Sequence, residues 1–418
     1  METSESDSFL VRSARWLTFG SAVAILFSIA ISQILLALAL AALLLSGGKL
    51  RLPPIKLPLA LFVLGTLISW AFSAELAAGI PQIRKFFVFL ELVAVTSTFR
   101  DLLLVRRLVL AWAGVGGLIA VRGFVQFAAK VREAHELGRN FYDYYAPAER
   151  MTGFMSHWMT FSGQEMLAFL LLLAFLFFAP VAALKYRWLW LSCAGLMSLA
   201  LLLGFTRSIW VATAVAGVYL LWFYRRSLIA LAVPAGIVLF LVSPAPLRER
   251  FTSLLKPKQG VDSNEFRIVT WRTGVRIIQQ HPLLGVGPEG IKYHFRDYVP
   301  ANTVLPDGWY GHLHNIYLQY AAERGIPTML VLMWLLLKIL HDFWRGLQLL
   351  PPGRSSPRFI LQGGIAAVLA VMVEGLAEVN LGDTEVLTIF LVVVACGYLA
   401  LNKEVFESDS HALGKYFG

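Results

Sequence analysis

The chain has 418 residues, of which 58% are hydrophobic and only 15% are charged, and its mean hydropathy is +0.67. A soluble globular domain cannot bury so many long apolar runs, so the composition predicts an all-α, polytopic membrane protein whose helices pair their backbone groups inside the lipid bilayer. The net charge of +10 is spread over many short loops, which argues against nucleic acid as a partner.

Apolar runs along the chain predict about twelve membrane-spanning helices. The predicted spans are residues 16–29, 31–46, 57–73, 82–98, 102–128, 161–180, 186–204, 206–224, 226–243, 326–346, 359–379 and 384–401. The first apolar stretch is interpreted as a hairpin rather than one long tilted helix, because Ser28, Ser32 and Gln33 interrupt it near its middle. No cleavage site follows the first span, so we expect it to be retained rather than removed as a signal peptide.

The distribution of lysine and arginine predicts the orientation of these spans. With the N-terminus inside, most basic residues of the short loops fall on the cytoplasmic side, as is usual for membrane proteins. Arg84, Lys85 and Arg207 are the exceptions that stand out on the opposite side. The prediction is therefore a multi-pass protein with both termini in the cytoplasm.

This topology divides the chain into three parts. Residues 1–243 carry the first nine helices, with an outward loop at about 129–160. Residues 244–325 form a large outward loop between helices 9 and 10, and residues 326–418 carry the last three helices and a cytoplasmic tail. Polar residues are concentrated in the large loop, which makes it the expected location of functional groups.

Arg207 opens the eighth span at an outward turn, where the orientation rule does not account for a cation. A charged arginine costs about 2.5 to 3.5 kcal/mol at the centre of an inserted helix. We therefore expect Arg207 to lie at the membrane surface or to face a hydrated cavity that holds an anion. The alternative is that its side chain extends to lipid phosphate groups.

The large loop is predicted to contain one amphipathic helix, at about Asn264–Gln280, which ends before His281-Pro282. Its apolar stripe consists of Ile268, Trp271, Val275 and Ile278. Arg267 lies beside this stripe, so we expect it to be held against the protein body. Arg272 and Arg276 lie together on the far edge, where they bind either substrate or lipid headgroups.

Two short motifs follow this helix. The glycines of residues 282–290 indicate a turn rather than a dinucleotide site, since no βαβ unit surrounds them. His312 and His314 stand where the loop returns to an apolar segment, and a continuing helix there would point His312 away from His314. His314 is either a reactive group or a helix-start residue that binds loop carbonyls.

Several of these elements, in this order and spacing, resemble the bacterial O-antigen ligase and polymerase superfamily. They are Thr206-Arg207-Ser208 at the start of a span, Arg267 followed by Trp271, Pro282-Leu283-Leu284-Gly285-Val286-Gly287, His314-Asn315-Ile316-Tyr317-Leu318, and Glu323-Arg324-Gly325-Ile326. Together they cover about residues 200–345. The size and the large loop before the last three spans look most like the ligase branch.

The resemblance implies a glycosyltransferase of the GT-C class in the bacterial inner membrane. Such an enzyme transfers a glycan from undecaprenyl diphosphate, its donor, to lipid A-core oligosaccharide, its acceptor, at the periplasmic face during lipopolysaccharide biosynthesis. It implies catalytic roles for Arg207, Arg267 and His314 and, more loosely, a substrate-binding role for Arg150. Arg272, Arg276, His312 and Asn315 are further substrate-binding candidates.

The residue types suit this chemistry. Negative charge develops on the diphosphate as the sugar bond breaks, and the guanidinium groups of Arg207 and Arg267 bind phosphate oxygens through charge-assisted hydrogen bonds. The imidazole of His314 is suited to remove the proton of the attacking hydroxyl at neutral pH. We predict a single inverting displacement that needs no metal and no cofactor.

Three alternatives remain. The first is a metal site, because four carboxylates near the last two spans could bind a divalent cation: Glu374, Glu378, Asp383 and Glu385. Helix capping and contacts between helices are the favoured interpretation of these residues. A polymerase or a protein O-oligosaccharyltransferase would use the same donor. A twelve-helix transporter fits less well, because its polar residues would be expected near the bilayer midplane.

The aromatic run Phe141–Tyr145 could stack on sugars or rest at the membrane interface.

Overall fold

The computed structural model of this chain describes residues 9–256, 264–301, 303–305 and 310–402. These residues form helices and no β-strand, which confirms the predicted all-α class. Their α-helices are α1 (Phe9–Ala24), α2 (Ile29–Leu45), α3 (Lys56–Ala71), α4 (Leu76–Arg84), α5 (Leu90–Thr98), α6 (Leu102–Glu136), α7 (Phe141–Tyr145), α8 (Trp158–Phe178), α9 (Arg187–Leu203), α10 (Arg207–Arg225), α11 (Ser227–Val242), α12 (Ala245–Thr252), α13 (Asn264–Gln280), α14 (Gly290–His294), α15 (Ile316–Leu349), α16 (Ser356–Glu374) and α17 (Thr384–Ala400). The predicted cytoplasmic ends of the chain lie outside the described residues.

The helices are those of a membrane protein. Among the described residues, α6, α8, α10, α15 and α16 are long and apolar enough to cross a bilayer, and α2, α3, α9, α11 and α17 are apolar but shorter. Each of the twelve predicted spans overlaps helical structure. The number of spans and the position of the large loop between helices 9 and 10 stay predictions.

Several predicted span boundaries differ from those of the helices; for example, α15 begins at Ile316 rather than at 326. The span predicted at 82–98 is not one helix, because a 3₁₀ segment, Lys85–Phe89, separates α4 from α5. Side chains three residues apart eclipse in a 3₁₀ helix, and here Phe86 packs edge-on against Phe89 with 5.7 Å between ring centroids. The span predicted to end at residue 128 continues as α6 to Glu136, because the polar residues beyond the apolar run are good helix formers.

The core of the fold lies around α16, which packs against α8, α10, α15 and α17. Helices α8, α16 and α17 are buried along most of their length. The rings of Phe175 and Phe359 meet edge to face at 5.5 Å between α8 and α16, and both are fully buried. This packed centre holds the ends of α8, α10 and α16 in fixed relative positions.

The aromatic run in α7 belongs to a second small core. Tyr142 and Tyr145 are buried, and the ring of Tyr145 meets that of Phe205 at 5.2 Å. The Tyr145 hydroxyl also donates to the Leu203 carbonyl at 3.0 Å. The rings of Tyr142 and Tyr145 therefore pack against the start of α10. Because both rings are buried, neither predicted role, sugar stacking or anchoring at the membrane interface, fits them.

A kink in α15 explains the glycine-rich segment that follows α13. Gly325 has φ 82° and ψ 159°, so α15 is interrupted there. The freed backbone groups are paired by the segment 282–287: the Ile326 N–H donates to the Pro282 carbonyl at 2.8 Å, and the Gly287 N–H donates to the Glu323 carbonyl at 2.9 Å. A side chain at Gly325 would collide with the Leu283 carbonyl. The segment thus forms the predicted turn, and its backbone supports the kink.

We expect Gly325→Ala to lower the thermal unfolding midpoint of the detergent-solubilised protein. Alanine is strained at this φ and ψ, at a cost of about 1 to 3 kcal/mol, and its methyl group would push the 282–287 segment away. Gly217→Ala in α10 is the matched control, because a Cβ there meets no atom within 4 Å. Equal unfolding midpoints for the two variants would contradict this account of the kink.

Candidate active site

A polar cavity of about 810 Å³ opens where the loops meet the ends of α8, α10 and α16. Its walls come from eight parts of the chain: the end of α4 with the residues just after it, the loop before α8, the start of α10, α12, the start of α13, the segment before α14, the segment before α15 with its first turns, and the segment between α16 and α17. The charged and imidazole side chains that line it are Lys85, Arg150, His157, Arg207, Arg250, Glu265, Arg267, Glu289, His312, His314, Glu374, Glu378, Asp383 and Glu385. Distant segments therefore supply one shared site.

Arg207 is the first residue of α10, and it is buried at the cavity wall. Its Nη1 donates to the Ser253 carbonyl at 2.6 Å, and its Nη2 donates to the Asn264 Oδ1 at 2.5 Å. These contacts tie the guanidinium to both α12 and α13. Arg207 thus faces a cavity, which is one of the positions expected from the sequence. In these two contacts its guanidinium donates to neutral oxygens and not to a carboxylate.

Arg267 lies on the first turn of α13 and reaches across to the segment after α16. Its Nη2 is 2.5 Å from the Glu378 Oε1, while its Nε is buried without a hydrogen-bond partner. A buried N–H without an acceptor costs about 1 to 3 kcal/mol. The Arg267 guanidinium therefore has a donor that an anionic ligand in the cavity would satisfy.

His314 is bound to the same carboxylate. Its Nδ1 is 3.0 Å from the Glu378 Oε2, and its backbone has φ 49°, which is rare for a residue other than glycine. A carboxylate only accepts, so Nδ1 carries the proton and the Nε2 of a neutral ring keeps its lone pair. Positive-φ residues of this kind cluster at functional sites.

Glu378 is ionised at neutral pH. Burial alone would raise the pKa of this carboxyl, but the hydrogen bond from His314 and the charge of Arg267 bring it down to about 2. One carboxylate thus holds an arginine and a histidine side by side. The sequence did not identify this role, although Glu378 lies one helical turn beyond Glu374, at the end of an apolar run.

His312 lies beside His314, so the expectation that it points elsewhere is wrong. Helix α15 begins only at Ile316, and the two imidazole rings are 4.1 Å apart. Burial, together with the nearby His314, lowers the pKa of His312 to about 4. His312 is consequently neutral at physiological pH and adds no charge to the cavity.

Asn315 caps α15. Its Oδ1 accepts the backbone N–H groups of Tyr317 and Leu318 at 3.0 Å, and its Nδ2 donates to the Leu376 carbonyl. Its side-chain hydrogen bonds are thus used inside the fold, so Asn315 positions His314 through the backbone.

Arg150 does line the cavity, with its guanidinium 5.0 Å from the Trp158 ring, and burial and the charge of Arg250 lower its pKa to about 9.

The buried face of α13 differs from the predicted one. Ile268 and Val275 of the predicted apolar stripe are 49% and 42% exposed, whereas Thr270, Thr273, Gly274 and Ile277 are buried. Arg267 precedes Thr270 by one turn and shares this buried face. Arg267 is therefore held against the protein body, as expected. The face that packs there is formed by small residues such as Thr270 and Gly274 and not by the predicted apolar stripe.

Arg272 and Arg276 are exposed, and neither lines the cavity. They lie on the side of α13 that points away from Arg267. The structure therefore does not bring these two predicted substrate-binding residues to the site that contains Arg207, Arg267 and His314.

The remaining carboxylates of the cavity are engaged mainly with neutral partners. Glu374 accepts from the Asn380 amide at 2.8 Å, and Asp383 accepts from the Thr160 hydroxyl at 2.9 Å. In the part of the chain that the structure describes, no group of three or more His, Cys, Asp or Glu side chains is arranged to hold a metal ion. The cavity combines guanidinium groups with an imidazole whose Nε2 can accept a proton.

Comparison with known families supports part of this interpretation. The O-antigen ligase family matches residues 192–333, a stretch that runs from α9 into α15 and contains Arg207, Arg267 and His314. No curated protein matches the chain. The match agrees with the resemblance of the motifs and supports a protein of the O-antigen ligase and polymerase family.

Proposed function

We propose that this protein, which matches the O-antigen ligase family over residues 192–333, is the ligase that transfers an undecaprenyl-diphosphate-linked glycan onto lipid A-core oligosaccharide. The family match supports a membrane transferase with ligase-like or polymerase-like activity. The observation that carries the proposed glycosyl transfer is the Arg267–Glu378–His314 arrangement, with Arg207 lining the same cavity, and the choice of a ligase rests on the resemblance to the ligase branch. It supports the proposal because an imidazole that can accept a proton lies in the same cavity as guanidinium groups, which suit the oxygens of a diphosphate.

In the proposed reaction, the acceptor hydroxyl attacks the anomeric carbon of the donor sugar from the face opposite the diphosphate. The hydroxyl proton passes to the Nε2 of His314 as the new carbon–oxygen bond forms. The bond from the anomeric carbon to the diphosphate oxygen breaks, and its electron pair leaves with the diphosphate. Arg207 and Arg267 stabilise that charge, and the anomeric configuration is inverted.

Glu378 is the positioning residue in this scheme. It fixes the Nδ1–H of His314 and stabilises the imidazolium that forms, in the way a carboxylate orients the histidine of a hydrolase triad. We expect Glu378→Gln to lower kcat by at least about tenfold. The acid limb of the pH–rate profile should also move to lower pH, because the imidazolium loses its counter-ion.

Glu374→Gln is the matched control for that profile, because Glu374 lines the same cavity and contacts Asn380 instead of His314. A lower rate with an unchanged acid limb in Glu378→Gln would assign Glu378 a structural role only.

The proposed reaction is independent of metal. Arg207 and Arg267 supply the positive charge at the leaving group, and Glu378 is already bound by Arg267 and His314. We expect transfer by purified protein to continue at an unchanged rate in an excess of a strong chelator of divalent cations. A rate that falls in the chelator and returns on adding magnesium or manganese would instead favour the carboxylate site as a metal site.

A deletion strain distinguishes a ligase from a polymerase. Loss of a ligase leaves lipid A-core without polymer while long lipid-linked glycan accumulates. Loss of a polymerase leaves core that bears a single repeat, and a protein O-oligosaccharyltransferase would leave lipopolysaccharide intact but abolish protein glycosylation. Normal lipopolysaccharide in the deletion strain would therefore contradict both the ligase and the polymerase.

The proposed location is the bacterial inner membrane, with the cavity on the periplasmic side, where the lipid-linked donor and the lipid A-core acceptor are both available. The distribution of basic residues supports this orientation. A transporter would need its polar groups along a path through the membrane. Uptake of a labelled solute into vesicles that is unaffected by His314→Ala would favour that alternative.

A further inference from the structure

Arg324 is a buried cation that the proposed reaction does not use. Only 4% of the residue is exposed, its Nε is buried without a hydrogen-bond partner, and its Nη2 reaches the Gln82 Oε1 only at 3.4 Å. Among the described residues, no carboxylate lies within ion-pair distance of it. The adjacent Glu323 accepts the Glu289 backbone N–H at 3.0 Å instead.

Arg324 lines a second, narrow cavity that adjoins the polar one. Gln82 and Lys85 line both cavities, so they form the boundary between them. The Lys85 Nζ donates to the Gly382 carbonyl at 2.6 Å, which leaves two of its N–H donors for a ligand. Lys85 thus lies where the polar cavity meets the apolar one, and Arg324 lines the apolar cavity.

Apart from these residues, the second cavity is apolar. Its walls are aromatic and leucine side chains of α3, α15, α17 and the 3₁₀ segment Lys85–Phe89, among them Phe62, Phe86, Leu335 and Phe390. Its volume is about 40 Å³, so a hydrocarbon chain would enter only if leucine side chains rotate. Such a surface suits a branched hydrocarbon rather than a sugar, which needs hydrogen-bonding partners.

We propose that Lys85 and Arg324 bind the lipid end of the donor: the phosphate next to the polyprenyl chain contacts the two cations, and the first isoprenoid units lie along the apolar cavity. This inference rests on the proposed function, and it gives the donor a direction. The polyprenyl chain lies in the apolar cavity, and its phosphate lies at the boundary beside Lys85. The glycan extends from there into the polar cavity toward His314.

A purely structural role for Arg324 accounts for only part of its surroundings. Its guanidinium lies 4.0 Å from the Tyr320 ring centroid and 5.5 Å from that of Phe62, and such cation–π contacts offset part of the cost of burial. They do not provide an acceptor for the Nε N–H. They also do not explain why a second cation, Lys85, lines the same cavity. A phosphate group has oxygens for both cations.

The test measures binding of a long-chain polyprenyl diphosphate without glycan to the full-length protein in nanodiscs. Arg324→Gln and Lys85→Gln should each weaken binding about tenfold, the effect of losing one charge-assisted hydrogen bond. Arg324→Lys should recover part of that loss. Lys338→Gln is the matched control on α15, since Lys338 pairs with Asp342 at 2.9 Å away from both cavities, and it should bind like the native protein.

A second probe separates a phosphate contact from a general change in the fold. The uncharged polyprenol of the same chain length should bind the native protein, Arg324→Gln and Lys85→Gln alike. Equal loss of the alcohol and the diphosphate, or full retention of the diphosphate by both variants, would overturn the inference. If Arg324→Gln does not fold, binding of the two lipids by Lys85→Gln is the test, because the Lys85 side chain is partly exposed and its replacement should leave the fold intact.

Failure of this inference is distinguishable from failure of the proposed function. If the native protein binds polyprenyl diphosphate and both variants bind it equally well, the donor class stands and the anchoring residues are wrong. If the native protein binds no polyprenyl diphosphate at all, the proposed donor is wrong as well.

Discussion

Replacing His314 with alanine is expected to lower the rate of glycan transfer about 10³-fold, the usual contribution of a positioned general base. The imidazole is the group that accepts the hydroxyl proton in the proposed reaction, and its Nδ1 is already engaged by Glu378. Arg207 and Arg267 would still bind the diphosphate in the variant. Transfer should therefore be lost while binding of the lipid-linked donor changes little.

The measurement compares initial rates of transfer and donor affinities of purified variants. His294→Ala is the matched control, because His294 lies in the same loop region, contacts Asp297 at 3.2 Å and does not line the cavity. A His314→Ala variant that folds and transfers glycan at the native rate would reduce His314 to the helix-start role left open by the sequence.

Arg267→Ala should be almost as damaging, with a loss of about 10² to 10³-fold in kcat, as for removal of one donor to a developing anion. Two effects combine in this variant. The leaving diphosphate loses a guanidinium, and Glu378 loses its arginine partner and is left with His314. Arg267→Lys should recover only part of the activity, because an ammonium group cannot reproduce a bidentate contact.

The same helix supplies the control for Arg267. Arg272→Ala and Arg276→Ala remove equal charge from α13, but both arginines are exposed and outside the cavity. Their rates should stay within about twofold of native, as for most surface substitutions. A large loss in Arg272→Ala would mean that the acceptor or donor extends along the exposed face of α13.

Local sequence patterns predicted much of this molecule. Apolar runs located the helices, a proline and a polar boundary located the end of α13, and Arg207 stood out because the charge rule for membrane loops did not account for it. The glycines at 285 and 287 indicated a turn. Each of these inferences depends on neighbours within a few residues.

Contacts between distant segments were not predictable in the same way. Glu378 is far from both Arg267 and His314 in the chain, and the three meet only because α13, α15 and α16 pack together. The buried face of α13 was predicted wrongly for a related reason. Its small residues, Thr270 and Gly274, allow close packing against Leu313, whereas hydrophobicity alone pointed to Ile268 and Val275.

His312 shows how a local assumption about helix boundaries affects a site prediction. A helix that included both histidines would separate their side chains, but Asn315 caps α15 after them, and His314 adopts a positive φ. The two rings consequently meet edge-on at the cavity wall. The start of a helix, rather than its existence, was the feature that the sequence left undetermined.

Reconstituted transfer tests the central claim most directly. Purified protein in nanodiscs would be mixed with undecaprenyl-diphosphate-linked glycan and lipid A-core, and the products separated by size. We expect lipid A-core that carries the whole glycan through an inverted linkage, formed by the native protein and not by His314→Ala. Folded native protein that binds the donor yet leaves lipid A-core unmodified would contradict this expectation.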